Sequence, residues 1–115
     1  MMNEDPRKIG LKNGLRQLNI EQIKRVINYD KEMVLDTYNY HDGKFCPLAV
    51  ALQLDKIIEN PTHDKVFNAL SEMGYKIYNT RGIKGSFYTT NRKRDLLQAA
   101  YEVLIEKLGD LNANL

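Results

Sequence analysis

Tryptophan is absent from this sequence, cysteine occurs once, proline occurs three times, and no apolar run approaches the length of a membrane span. The cysteine count and the missing apolar run each exclude something. A single cysteine, Cys46, cannot close an internal disulfide, and by itself it cannot assemble a thiolate zinc site. A transmembrane helix needs about 20 mostly apolar residues, and the opening MMNEDPRKIGLKNG is too polar for a signal peptide. A cytoplasmic protein without a membrane partner is the expectation. No Walker loop, dinucleotide-binding fingerprint, nucleophile elbow or HExxH is present, so neither cofactor nor metal is expected. There is no internal repeat and no low-complexity segment.

What remains is a chain of 115 residues, 43% hydrophobic and 28% charged. That suits one folded domain with its own core. The formal charge is only +2, yet its distribution is uneven. The stretch YKIYNTRGIKGSFYTTNRKR, residues 75–94, holds six cations (Lys76, Arg81, Lys84, Arg92, Lys93 and Arg94) and no acid, which leaves −4 for the rest. Such polarity speaks to partners and solubility rather than to fold.

Along the chain, Pro6, Gly10 and Gly14 among scattered cations suggest an irregular or mobile arm over residues 1–17, ahead of a globular domain over 18–109 and a tail over 110–115. Asn19 can cap a helix, with Gln22 three residues on as in a capping box, and Ile20, Ile23, Val26 and Ile27 form its apolar stripe. Residues 31–40, KEMVLDTYNY, fit both a short helix and an alternating strand, and helix is preferred. Pro47 after Cys46 opens a central helix through LAVAL to Ile58, apolar on every side at its start. Asn60 as cap and Pro61 as first residue open the next helix, whose Val66, Phe67, Leu70 and Met73 share a face and whose end is Gly74. Residues 75–80 and 86–90 are rich in Tyr, Phe, Ile and Thr around the two glycines of RGIKG, which reads as a β-hairpin. Asn91 then caps a long last helix with Leu96, Leu97, Ala100, Val103, Leu104 and Leu108 inward, ending before Gly109. The fold class expected is α+β: a mostly helical single domain with one hairpin.

Helix, helix and a hairpin with the basic tip Arg81–Phe87 resemble the winged helix-turn-helix superfamily of DNA-binding domains over residues 19–90. The resemblance implies that the helix 62–73 lies in the major groove, offering Lys65 and Asn68, while Arg81 and Lys84 reach the backbone or a groove from the wing. Lys76, Arg92, Lys93 and Arg94 would then clamp phosphates. The same helix also turns Asp64 and Glu72 outward, which opposes contact with phosphates.

Independently of any family, Arg92, Lys93 and Arg94 stand in the first turn of a helix, where the macrodipole disfavours cations by about 0.3–1 kcal/mol each. A bound anion, phosphate above all, would compensate. The plainer reading is that these cations are solvated and that lysines guard a strand edge. Tyr78 and Tyr88 could stack bases or simply pack. GlyIleLysGly, residues 82–85, matches the GXXG loop of KH domains, but there it joins two helices, so the match is set aside. Cys46 at a helix start could be a nucleophile with His41 or His63, or a buried structural thiol ahead of an apolar run. His63, close to Phe67 and Leu70 in its helix, is expected to pack in the core. In order of preference, the sequence points to a non-enzymatic domain binding DNA, to an accessory protein without a nucleic-acid partner, and to a cysteine-dependent enzyme. Homodimerisation is left open.

Overall fold

The computed structural model describes residues 6–34, 43–74 and 92–113. It has five α-helices there: α1 (Pro6–Arg16), α2 (Ile20–Ile27), α3 (Pro47–Ala51), α4 (His63–Glu72) and α5 (Lys93–Ala113), with a single 3₁₀ turn at Leu54–Lys56. The long α5 is the spine. Both α1 and α2 pack on it, and α3 packs on α2.

The core follows from apolar spacing. Leu11, Leu15 and Leu18 come from the first helix and its exit, Ile23 and Val26 from α2, Leu48 to Ala51 from α3, Val66 and Leu70 from α4, and Leu96, Ala99, Ala100 and Val103 from α5. Each large side chain so buried contributes about 1.5–3 kcal/mol relative to exposure. Small residues on α5, Ala99 and Ala100, let neighbouring helices approach its axis.

Local chemistry explains several boundaries. Asn19 accepts from the Gln22 amide at 2.8 Å while the Gln22 side chain accepts from the Asn19 amide at 2.9 Å, the reciprocal capping box expected. Pro47 stands at the start of α3, and all five residues of that helix are buried. Arg25 donates to the Ala51 carbonyl at 3.0 Å, satisfying an acceptor that the end of α3 would otherwise leave open. Gly74, at φ +92, follows the last turn of α4 and donates to Ser71 O at 3.0 Å, as a glycine terminator does.

The structure corrects the α+β expectation. The described residues are mostly helical, and among them there is neither a sheet nor a β-hairpin; the β-pairing there is one parallel bridge, Met33 with Phe45. The winged-helix-like architecture therefore does not describe this fold. The hairpin was inferred from residue types that suit a pleated, half-buried surface, and that preference depends on context rather than on the backbone itself. Residues 75–91, where it was expected, lie outside the described residues.

Other expectations change as well. Residues 6–16, read as an irregular arm, form a helix whose Leu11 and Leu15 are almost fully buried. Residues 31–34 are extended rather than helical, with Val34 donating to Phe45 O at 2.9 Å; residues 35–42 are outside the described set. The helix expected from Pro47 to Ile58 breaks at Gln53, which adopts a left-handed conformation at φ 63 before the 3₁₀ turn. Thr62, not Asn60, caps α4 by accepting from the Lys65 amide. Helix α5 runs through Gly109 to Ala113 instead of stopping before it.

Candidate anion-binding surface at the start of the last helix

The carbonyl of Arg92 accepts from the amides of Asp95 and Leu96 at 3.1 and 3.2 Å, so Arg92 occupies the N-cap position of α5, one residue later than the cap expected at Asn91. An arginine side chain has no acceptor. It cannot cap the first amides as Ser, Thr, Asp or Asn would. Lys93 and Arg94 follow as the first helical residues, and Asp95 is the one acid in the first turn.

These cations do not point the same way. Arg92 and Arg94 are exposed, and Arg94 Nε lies 4.0 Å from Asp95 Oδ1, a loose pair between neighbours on the surface. Lys93 is half-buried and donates to the Lys31 carbonyl at 3.3 Å. That contact carries the extended segment 31–34 to the helix start. With it comes Lys31, exposed, and the ion pair between Lys44 Nζ and Glu32 Oε2 at 2.7 Å. The Lys44 hydrogen bond and charge, helped by Lys93, hold the Glu32 carboxyl below its ordinary value.

Among the described residues, the start of α5 and the segment 31–34 beside it thus bring Lys31, Lys44, Arg92, Lys93 and Arg94 near Asp30, Glu32 and Asp95, five cations against three acids. Neither Lys31 nor Lys44 is marked by the sequence: the bond from Lys93 to the Lys31 carbonyl spans 62 positions, and Lys44 joins only through its pair with Glu32, contacts that no local pattern encodes.

Of the other residues expected to bind nucleic acid, Lys65 and Asn68 lie exposed on α4. Lys65 Nζ turns back to the Asn60 carbonyl at 3.3 Å, and no hydrogen bond among the described residues joins either side chain to the start of α5. The outward face of α4 holds Asp64, Lys65, Asn68, Ser71 and Glu72, all exposed as expected. Two carboxylates against one lysine suit it poorly for a phosphate-lined groove. Lys76, Arg81 and Lys84, with Tyr78 and Tyr88, lie outside the described residues.

Cys46 is fully buried at the entrance to α3. His63 is not the core residue expected: it is exposed, its Nδ1 lies 3.1 Å from Asp64 Oδ1, and its ring rests on Phe67 with centroids 3.7 Å apart. The two side chains therefore face different environments, and His41 is outside the described residues. Among the described residues no group of three or more His, Cys, Asp or Glu is placed to hold a metal ion, and no helix is long and apolar enough to cross a membrane.

A second electrostatic feature ties α1 to α5. Glu102 faces Lys12 at 3.1 Å and Lys8 at 3.4 Å. One turn further, Glu106 receives Arg16 through Nε and Nη2, both at 3.0 Å. Burial pushes the Glu102 carboxyl up, but the two lysines together outweigh it and hold it below the ordinary range; the hydrogen bond from Arg16 does the same for Glu106. Lys8, Lys12 and Arg16 recur every four residues, beside the Leu11, Leu15 and Leu18 stripe, so this signal was present in the sequence.

Comparison with known proteins adds no identity: no family model, no curated protein and no solved structure matches this chain.

Proposed function

We propose that this protein is a small, non-enzymatic nucleic-acid-binding domain, with duplex DNA as its main partner, that holds phosphates at the start of α5. The observation that supports this most is the excess of cations around a helix start whose cap residue, Arg92, has no acceptor to offer. Three consecutive cations there oppose the macrodipole by about 0.3–1 kcal/mol each. A phosphate between Arg92 and Arg94 would accept from the first amides and from both guanidinium groups. In sequence Lys76, Arg81 and Lys84 precede this helix start without an intervening acid.

The reading assigns backbone contact and not base recognition. The acidic outward face of α4 argues against groove reading by that helix. Binding should therefore be weakly dependent on sequence and strongly dependent on salt. The direct test is fluorescence anisotropy with a labelled duplex, comparing the parent with R92E/R94E and with K65E. Charge reversal at the start of α5 should weaken binding about tenfold or more while the circular dichroism spectrum is unchanged. K65E should bind as the parent does. Equal affinity for R92E/R94E and the parent would remove the proposal.

A further inference from the structure

One side of α5 is buried in the core and a second side is apolar but open to solvent. Tyr101, Ile105, Leu108 and Leu111 are 52%, 68%, 38% and 53% exposed, and Leu97 and Leu104 lie half-buried alongside. Leu97, Tyr101, Leu104, Leu108 and Leu111 alternate spacings of four and three, the seam spacing of two paired helices. The core residues Leu96, Ala99, Ala100 and Val103 occupy a different side of the helix. A patch of this extent is seldom left uncovered on a soluble monomer.

We infer that this stripe binds the same stripe of a second copy of the chain, with the two α5 helices antiparallel, to form a homodimer. Area is the first argument. The four exposed residues offer roughly 400 Å² per copy, if a fully exposed large side chain presents about 190 Å². A standard interface buries about 800 Å² per partner, of which about 56–65% is apolar. The stripe supplies most of that apolar share. Charge is the second argument, and it fixes the direction. Helix α5 carries Arg92, Lys93 and Arg94 at its start and no basic residue in its last turn, the reverse of what its dipole favours. Antiparallel pairing sets the cations of one copy beside the C-terminal carbonyls of the other. Parallel pairing would crowd both cationic starts together.

The seam fixes a register as well. Leu97 lies opposite Leu108 of the second copy, Tyr101 opposite Leu104, and Arg94 opposite Leu111, where its aliphatic stem covers the leucine. The dimer does not rest on nucleic-acid binding. It does place the two cationic helix starts roughly 30 Å apart, at 1.5 Å per residue, close to the spacing of one turn of duplex DNA.

Sedimentation velocity from about 1 µM to about 500 µM, the range in which weak to moderate dimers dissociate, tests the association. The parent should shift to twice the chain mass, and I105K/L108K, two changes at exposed positions, should stay at the monomer mass with an unchanged circular dichroism spectrum. Oxidative cross-linking tests direction: L97C mixed with L108C should give the mixed dimer in excess over either variant alone. A parent that is monomeric throughout would overturn the inference and assign the stripe to another occupant, whether a different protein or the chain's own residues outside the described set. A dimer that survives I105K/L108K, or cross-links formed as well by each cysteine variant alone, would overturn it too.

Discussion

Replacing Glu102 with glutamine should cost more stability than replacing Lys12 with methionine, although each removes the same ion pair. The asymmetry comes from burial. Lys12 is only 8% exposed, whereas the Glu102 side chain is 37% exposed and also faces Lys8. In Lys12→Met an unbranched apolar chain of similar length fills the same space, and the remaining carboxylate keeps Lys8 and water. The expected change is within about 1 kcal/mol of zero, as for other buried pairs exchanged for packed apolar groups. In Glu102→Gln the buried ammonium loses the carboxylate 3.1 Å away, with Glu106 left at longer range. Breaking a fully buried pair costs about 3–5 kcal/mol, and solvent screening at the partly exposed glutamate reduces this by about half. The result is a loss of about 1.5–2.5 kcal/mol. For a chain of this size that lowers Tm by about 5–12 °C. Thermal melts at pH 7 followed by circular dichroism measure it. If Glu102→Gln melts no lower than Lys12→Met, the reasoning about the α1–α5 interface is wrong.

The acid limb of stability should follow from the same carboxylates. Glu102 and Glu106 are held below their ordinary value of 4.5 in the folded chain, so their stabilisation is present above that value and is lost as pH falls through the lower folded values; urea midpoints should be level near neutrality and drop below about pH 4.5, less steeply in E102Q/E106Q, and an identical acid limb in that variant would contradict this. Leu15→Ala should lower stability by about 2–5 kcal/mol, the range for a buried leucine, measured by urea unfolding, because α1 is core and not an arm; a change under about 0.5 kcal/mol would return it to the status of an appendage. Two glycines should respond in opposite directions. Gly109→Ala, within α5 and with open space around the added methyl, should stabilise by about 0.5–1 kcal/mol, while Gly74→Ala at φ +92 should destabilise by about 1 kcal/mol, both read from thermal melts.

The helices with explicit end signals were legible before the structure. Asn19 with Gln22, Pro47 before an apolar run, and Gly74 after a periodic one each encode a boundary within a few residues of sequence. Where the outcome depended on tertiary contact, local signals misled. Pro6, Gly10 and Gly14 read as breakers, yet a glycine in a helix costs only about 1 kcal/mol, less than burying Leu11 or Leu15 contributes. The same arithmetic carries α5 through Gly109. Conversely, LAVAL is apolar on every side, but the helix it opens stops at Ala51, because Gln53 takes a left-handed turn that hydrophobicity does not signal. The cationic helix start at 92–94 was visible as charge. Its extension through Lys31 and Lys44 was not, since it depends on where the 31–34 segment meets α5.

The slope of log affinity for duplex DNA against log salt concentration is the measurement closest to the functional claim. Three or more phosphates held by Arg92, Arg94 and their neighbours predict a slope of about −3 or steeper, at about −0.9 per phosphate. A slope near zero, or binding undetectable at about 50 mM salt where nonspecific phosphate contacts are strong, would contradict it.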